Sequence, residues 1–123
     1  MFSIVSCNST DCDICGTWKD ISSKYKGDII EVKQSGDTLI GISIVVSQRS
    51  KEKGFIVGDL KWKNIIRKDS ISYHFETLGK RKEGDKVVET DYFPWGLKFT
   101  HRDTIDIFYL KKYPNRRYLR VKK

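Results

Sequence analysis

From residue 16 onward, apolar and polar side chains alternate with period two almost throughout, and turn residues interrupt the alternation at short intervals. Successive strand residues point to opposite faces, so this pattern marks half-buried strands joined by tight turns, an antiparallel meander. Strands are expected at 16–21, 29–34, 38–48, 55–64, 70–78, 87–89, 97–101 and 105–111, with a short ninth at 118–121 after Tyr113-Pro114-Asn115. Lys26-Gly27-Asp28, Arg67-Lys68-Asp69 and Arg102-Asp103-Thr104 read as turns, and Ser35-Gly36-Asp37 as a tight hairpin. No segment longer than ten residues sustains a 3.6-residue period, so no helix of that length is expected.

Eight consecutive strands favour closure. An open meander exposes two unpaired edges, and a barrel removes both. The expected fold class is therefore all-β, an eight-stranded antiparallel up-and-down β-barrel. The 123 residues suffice for one core, with residues 16–123 forming the barrel and residues 1–15 a tether or signal remnant. Gly41 and Gly58 inside expected strands suit the sharp bends that closure needs. No apolar run approaches the roughly 18 residues of a membrane-spanning helix.

An eight-stranded barrel is either filled by its own side chains or holds one small ligand. Taking the more apolar face of each strand as the inner one gives Ile42, Ile44, Ile56, Leu60, Tyr73, Phe75, Phe99 and Ile107 as ligand-lining candidates. Such a lining suits a small hydrophobic or amphipathic molecule.

The formal net charge is +8, and Lys111, Lys112, Arg116, Arg117, Arg120, Lys122 and Lys123 crowd the last thirteen residues without an acid. A solvated last strand and terminus is the favoured reading of this stretch; otherwise a basic tail attracts anionic partners, an anionic membrane surface among them, and basic residues near a barrel mouth select an anionic head group. Nucleic acid is a rival, because Trp62, Tyr73, Phe99 and Tyr109 are aromatics that stack bases when exposed. Core packing explains their spacing equally well, and no RNA-binding signature accompanies them, so nucleic acid is not expected. No nucleophile-elbow, zincin, phosphate-loop or dinucleotide motif is present. His74 and Glu76 share a strand face, and His101 lies near Asp103 and Asp106, yet these read as outward polar residues and turn acids. No catalytic residue, metal or cofactor is assigned.

The three cysteines lie within the first fifteen residues. Ile4-Val5-Ser6-Cys7 resembles the lipobox of bacterial lipoproteins, which implies lipidation of Cys7 and a place in the cell envelope, although the upstream residues lack a charged region and a full apolar one. Cys12-Asp13-Ile14-Cys15 precedes a strand rather than opening a helix. It reads as a local disulfide, two free thiols, or half of a zinc site.

Two short motifs resemble those of the lipocalins. Gly16-Thr17-Trp18 at the first strand is similar to that family's opening Gly-x-Trp, and Thr90-Asp91-Tyr92 is similar to its Thr-Asp-Tyr, which lies between the sixth and seventh strands. The resemblance implies that Gly16 and Trp18 close one end of the barrel and that Thr90, Asp91 and Tyr92 fix a loop. It also implies that an arginine after the last strand stacks on Trp18. Arg116, Arg117 and Arg120 all qualify, with Arg120 carried forward. The chain is short for a lipocalin and shows no helix after the eighth strand. These motifs speak to closure, not to the ligand. The functional expectation is a non-enzymatic binding protein for a small lipophilic or amphipathic molecule, or else a ligand-free barrel that serves as an interaction module.

Overall fold

The computed structural model describes residues 12–109 and 114–122. Eight strands follow in order: β1 (Gly16–Asp20), β2 (Ile29–Ser35), β3 (Thr38–Val45), β4 (Leu60–Arg67), β5 (Ser72–Glu83), β6 (Lys86–His101), β7 (Thr104–Tyr109) and β8 (Pro114–Arg120). One short helix, α1 (Gln48–Glu52), lies between β3 and β4, with the Ser47 hydroxyl accepting the Ser50 N–H as its cap. Each strand pairs antiparallel with the next, and β1 pairs with β8, so the sheet closes into an up-and-down barrel.

The strand count holds but several boundaries move. Residues 87–89 and 97–101, read as two strands, belong to the single sixteen-residue β6. Pro94 and Gly96 sit inside it. Thr90, Asp91 and Tyr92 therefore lie within a strand, paired with Lys80, Gly79 and Leu78, and not in an inter-strand loop. The glycine-bearing stretch after Leu78 continues β5 to Glu83, and the turn is Gly84-Asp85. The expected ninth strand is part of β8. Gly58 is in the loop before β4, with φ +97°.

The inner face is a packed aromatic and aliphatic core. Trp18, Ile30, Val32, Trp62, Tyr73, Phe75, Leu97, Ile105, Ile107 and Tyr118 are all buried within one cluster. Trp62 sits at its centre, 5.0 Å from the Phe75 ring and 5.5 Å from Tyr118. Pairing Ile30 with Ser43 and Val32 with Gly41 puts Gly41 and Ser43 on the inner face of β3. Ile42 and Ile44 thus face outward, half-buried and exposed respectively, contrary to their expected lining role. The more apolar side of β3 is the outer one because the inner side must leave room for Trp62. A Cβ on Gly41 would stand 3.1 Å from Trp62 atoms and 3.0 Å from Ile30 Cγ2.

One end of the barrel is shut. The disulfide Cys12–Cys15 forms a turn whose Ile14 is fully buried against the core, and the Trp18 indole N–H donates to the Ile14 carbonyl at 2.9 Å. Residues 12–15 are thus part of the barrel and not of a tether, while Cys7 lies outside the described residues. Arg120 is the arginine over Trp18, 4.3 Å from the ring, donating to the carbonyls of Cys15 and Asp13 at 2.7 Å each and to the Asp103 carboxylate at 3.0 Å. A glycine is needed opposite it: Gly16 has φ +131°, and a Cβ there would meet Arg120 Nη1 at 2.7 Å.

Candidate functional site

The expected ligand-lining residues do not come together around a cavity. Tyr73, Phe75 and Ile107 point inward but are sealed in the core, and Phe99 packs against it. Ile56 lies in the loop before β4, 62% exposed. Leu60 pairs with Ile42 on the outer face, its carbonyl accepting the Tyr92 hydroxyl at 2.8 Å. Side chains fill the middle of the barrel, so the site of interest lies beyond them, at the end away from the disulfide.

At that open end a cavity of about 140 Å³ is lined by Tyr25, Asp28, Phe55, Lys61, Lys80 and Arg116, among others. Arg116 enters because β8 alternates: Tyr118 is inward, so Arg116 two residues earlier is inward too, paired with Ile107. Its guanidinium is held between two rings, 4.7 Å from Tyr25 and 4.8 Å from Trp95. No carboxylate among the described residues pairs with it.

Lys61 enters for a different reason. Gly41 pairs with Trp62 and Ile42 with Leu60, so the register skips Lys61. At such a bulge the extra residue loses its place in the alternation, and Lys61 turns in beside Trp62. Its ammonium lies 3.7 Å from the Phe55 ring centroid and donates to the Leu78 carbonyl at 3.1 Å. Burial, and secondarily the positive charge of Arg116, lower its pKa to about 7.

The other charges around the cavity are mostly spent. Asp28 accepts the Ser47 N–H and the Ser50 hydroxyl, both at 2.7 Å, which pins α1 over the opening. Lys80 is bound to Asp59 at 3.0 Å and to the Gly54 carbonyl at 3.1 Å. The Tyr118 hydroxyl is fully buried with Arg116 beside it, outside good hydrogen-bond geometry, and burial raises its pKa. The arrangement offers an entering group one clamped guanidinium, the Lys61 ammonium of variable charge and the Lys53 ammonium, which makes no ion pair among the described residues. It suits an oxyanion that accepts several N–H bonds.

A larger groove, about 680 Å³, runs along the shut end past Cys12, Asp13, Ile71, Phe99, His101 and Arg120. Its polar groups already serve each other. Asp13 takes bonds from Arg67 and the Tyr73 hydroxyl, and Asp103 from Arg120 and Lys122. The smaller cavity has the uncommitted chemistry and is the better candidate.

Of the four described basic residues in the C-terminal stretch, Arg117, Arg120 and Lys122 are committed. Arg117 makes a two-pronged pair with Asp106 at 2.7 and 2.9 Å, while Lys111, Lys112 and Lys123 lie outside the described residues. Trp62 and Tyr73 are buried and cannot stack bases, and the Tyr109 side chain lies outside the described residues. Cys12 and Cys15 are disulfide-bonded, and among the described residues no group of histidine, cysteine and acidic side chains is placed to hold a metal.

Fold and site together define an eight-stranded antiparallel β-barrel with one shut end, a filled interior and a small basic cavity at its mouth. Compared with known proteins, the chain matches no family model, no curated protein and no solved structure.

Proposed function

We propose that this protein is a non-enzymatic binding protein with a lipocalin-like barrel, and that it takes the anionic end of a small amphipathic ligand in the cavity at its mouth. The observation that carries this reading is Arg116: a half-buried guanidinium clamped by Tyr25 and Trp95, with no carboxylate partner among the described residues. A half-buried cation with no carboxylate in contact is only partly compensated for lost solvation, and a bound anion offsets the remainder. At roughly 30 Å³ per water-sized volume, the cavity of about 140 Å³ takes a phosphate or carboxylate and a methylene or two, not a whole lipid. The rest of the ligand would lie over the apolar rim. The likeness to lipocalins rests on the barrel and on Arg120 over Trp18 of Gly16-Thr17-Trp18. Thr90-Asp91-Tyr92, inside β6, does not support it.

Titration calorimetry with hexyl phosphate, hexanoate and hexanol tests the proposal. The two anions are expected to bind and hexanol not, and Arg116→Gln is expected to weaken anion binding at least tenfold. Equal binding of hexanol, or no binding of either anion, would overturn it.

The filled interior favours a second reading, that of a barrel whose outer surfaces meet a protein or an anionic surface. An absence of any small-molecule binding, together with partner association, would favour it.

A further inference from the structure

We infer that the open end of the barrel is a docking face for an anionic lipid bilayer, with unpaired lysines and exposed aliphatic tips at the same end. The inference deepens the second reading above and does not depend on the cavity binding a soluble anion.

Topology brings the parts together. The β1–β2 loop, the segment from Val46 to Asp59 and the β5–β6 hairpin all leave the barrel at the end opposite the disulfide. α1 and the hairpin meet there in a groove of about 410 Å³ lined by Arg49, Lys53, Lys80, Arg81 and Lys82, of which Arg49 pairs with Glu52, Lys80 with Asp59 and Arg81 with Glu83. Lys51, Lys53 and Lys82 make no ion pair among the described residues, so their charges face outward unneutralised.

The same end carries apolar side chains that soluble surfaces seldom cluster. Ile56 and Val57, side by side in the loop after α1, are each 62% exposed, and Val87 and Val88 on the hairpin are 39% and 43% exposed. Val87 abuts the α1 side, since a Cβ on Gly54 would lie 2.7 Å from its Cγ2. Backbone bonds from Gly58 to the Ser43 carbonyl and from Ser43 to the Asp59 carbonyl tie the Ile56-Val57 turn to β3, whose last residues Ile44 and Val45 are 38% and 44% exposed.

Charge complementarity selects the occupant. Exposed aliphatic tips at the same end as unpaired lysines suit an interface with an apolar interior and a negative surface, and each basic residue near such a surface adds about 1 kcal/mol, roughly fivefold in partition. A nucleic acid would use the lysines but not the tips. An acidic protein would not require the two together.

Vesicle sedimentation of the full chain tests this. Pelleting is expected with vesicles of phosphatidylcholine containing 30% phosphatidylglycerol, with at least tenfold weaker partition to phosphatidylcholine alone and marked loss in high salt. Ile56→Ser with Val57→Ser, both at exposed positions, should weaken pelleting at least fivefold. Lys51→Glu should weaken it similarly. Lys33→Glu, an exposed charge on β2 toward the shut end, should leave it unchanged apart from general electrostatics. Arg116→Gln separates the two proposals: vesicle binding persists if the rim docks, whatever happens to hexyl phosphate. No pelleting with anionic vesicles would overturn the docking face, as would equal loss in Lys33→Glu. So would binding of single- or double-stranded DNA through Lys51 in place of vesicles.

Discussion

Lys61 puts the cavity chemistry within reach of a stability measurement. An unfolded lysine titrates near 10.5, whereas burial and Arg116 lower the folded pKa to about 7. Below pH 7 both states are protonated and the folded protein carries the full penalty. Above about 10.5 both are neutral and the penalty is gone. Between these limits the unfolded state holds more protons, so stability rises with pH. Integrating the proton difference from pH 6 to pH 9 gives a gain of about 2–3 kcal/mol from this one group. Lys61→Met fills similar space without a charge and should remove that gain. Urea unfolding of both proteins at pH 6, 7, 8 and 9 makes the comparison, since every other titrating group cancels in the difference. Lys61→Met is expected to be the more stable at pH 6, with the advantage shrinking by about 2–3 kcal/mol by pH 9. Parallel pH profiles for the two proteins would refute the buried, cation-crowded lysine.

Three further outcomes follow from the same structure. Anion binding at pH 8 should be accompanied by net proton uptake as Lys61 regains its charge, seen as a calorimetric enthalpy that varies with the ionisation enthalpy of the buffer. Gly41→Ala should cost about 1–3 kcal/mol by thermal or urea unfolding, because its Cβ would press on Ile30 and on a Trp62 already braced by Phe75 and Tyr118; an unchanged stability would mean that the inner face of β3 is looser than described. Cys12→Ser with Cys15→Ser should cost about 2 kcal/mol, as the closed loop is short, and mass spectrometry of the untreated protein should find no free thiol at either cysteine.

Much of the fold could be read from the alternation, and where the reading failed the cause is local. Strands β5 and β7, and β8 from Arg116 to Arg120, follow period two, so Tyr73, Phe75 and Ile107 are recognisably inward. β3 misleads because its more apolar face is the outer one, while Gly41 and Ser43 are inside to make room for Trp62. Pro94 and Gly96 suggested a break that β6 does not make, since tertiary pairing with β5 outweighs the local preference. The cavity was legible in part. Arg116, Tyr118 and Arg120 share one face by simple alternation, so an inward arginine at the mouth could have been found. Lys61 could not, because its direction comes from a bulge fixed only by the pairing of β3 with β4. The ion pairs of Arg117 and Arg120 were not legible in the basic stretch itself, because their partners Asp106 and Asp103 lie on the preceding strand and turn.

The seam between β1 and β8 sets the order in which this molecule can be made. The strand carrying Trp18 lacks one neighbour until Arg120 exists, and the bonds from Arg120 to Cys15 and Asp13 span 105 and 107 positions of chain. On the ribosome, seven strands can emerge and pair in sequence, each with the one before it, while the first keeps an open edge. The ring closes only once β8 has emerged. Contacts of such long sequence separation make for slow folding, and until then the unpaired edge of β1 is a template for other chains. Loss of the last few residues of β8 would therefore cost more than a frayed end, because it reopens the circle at its first strand.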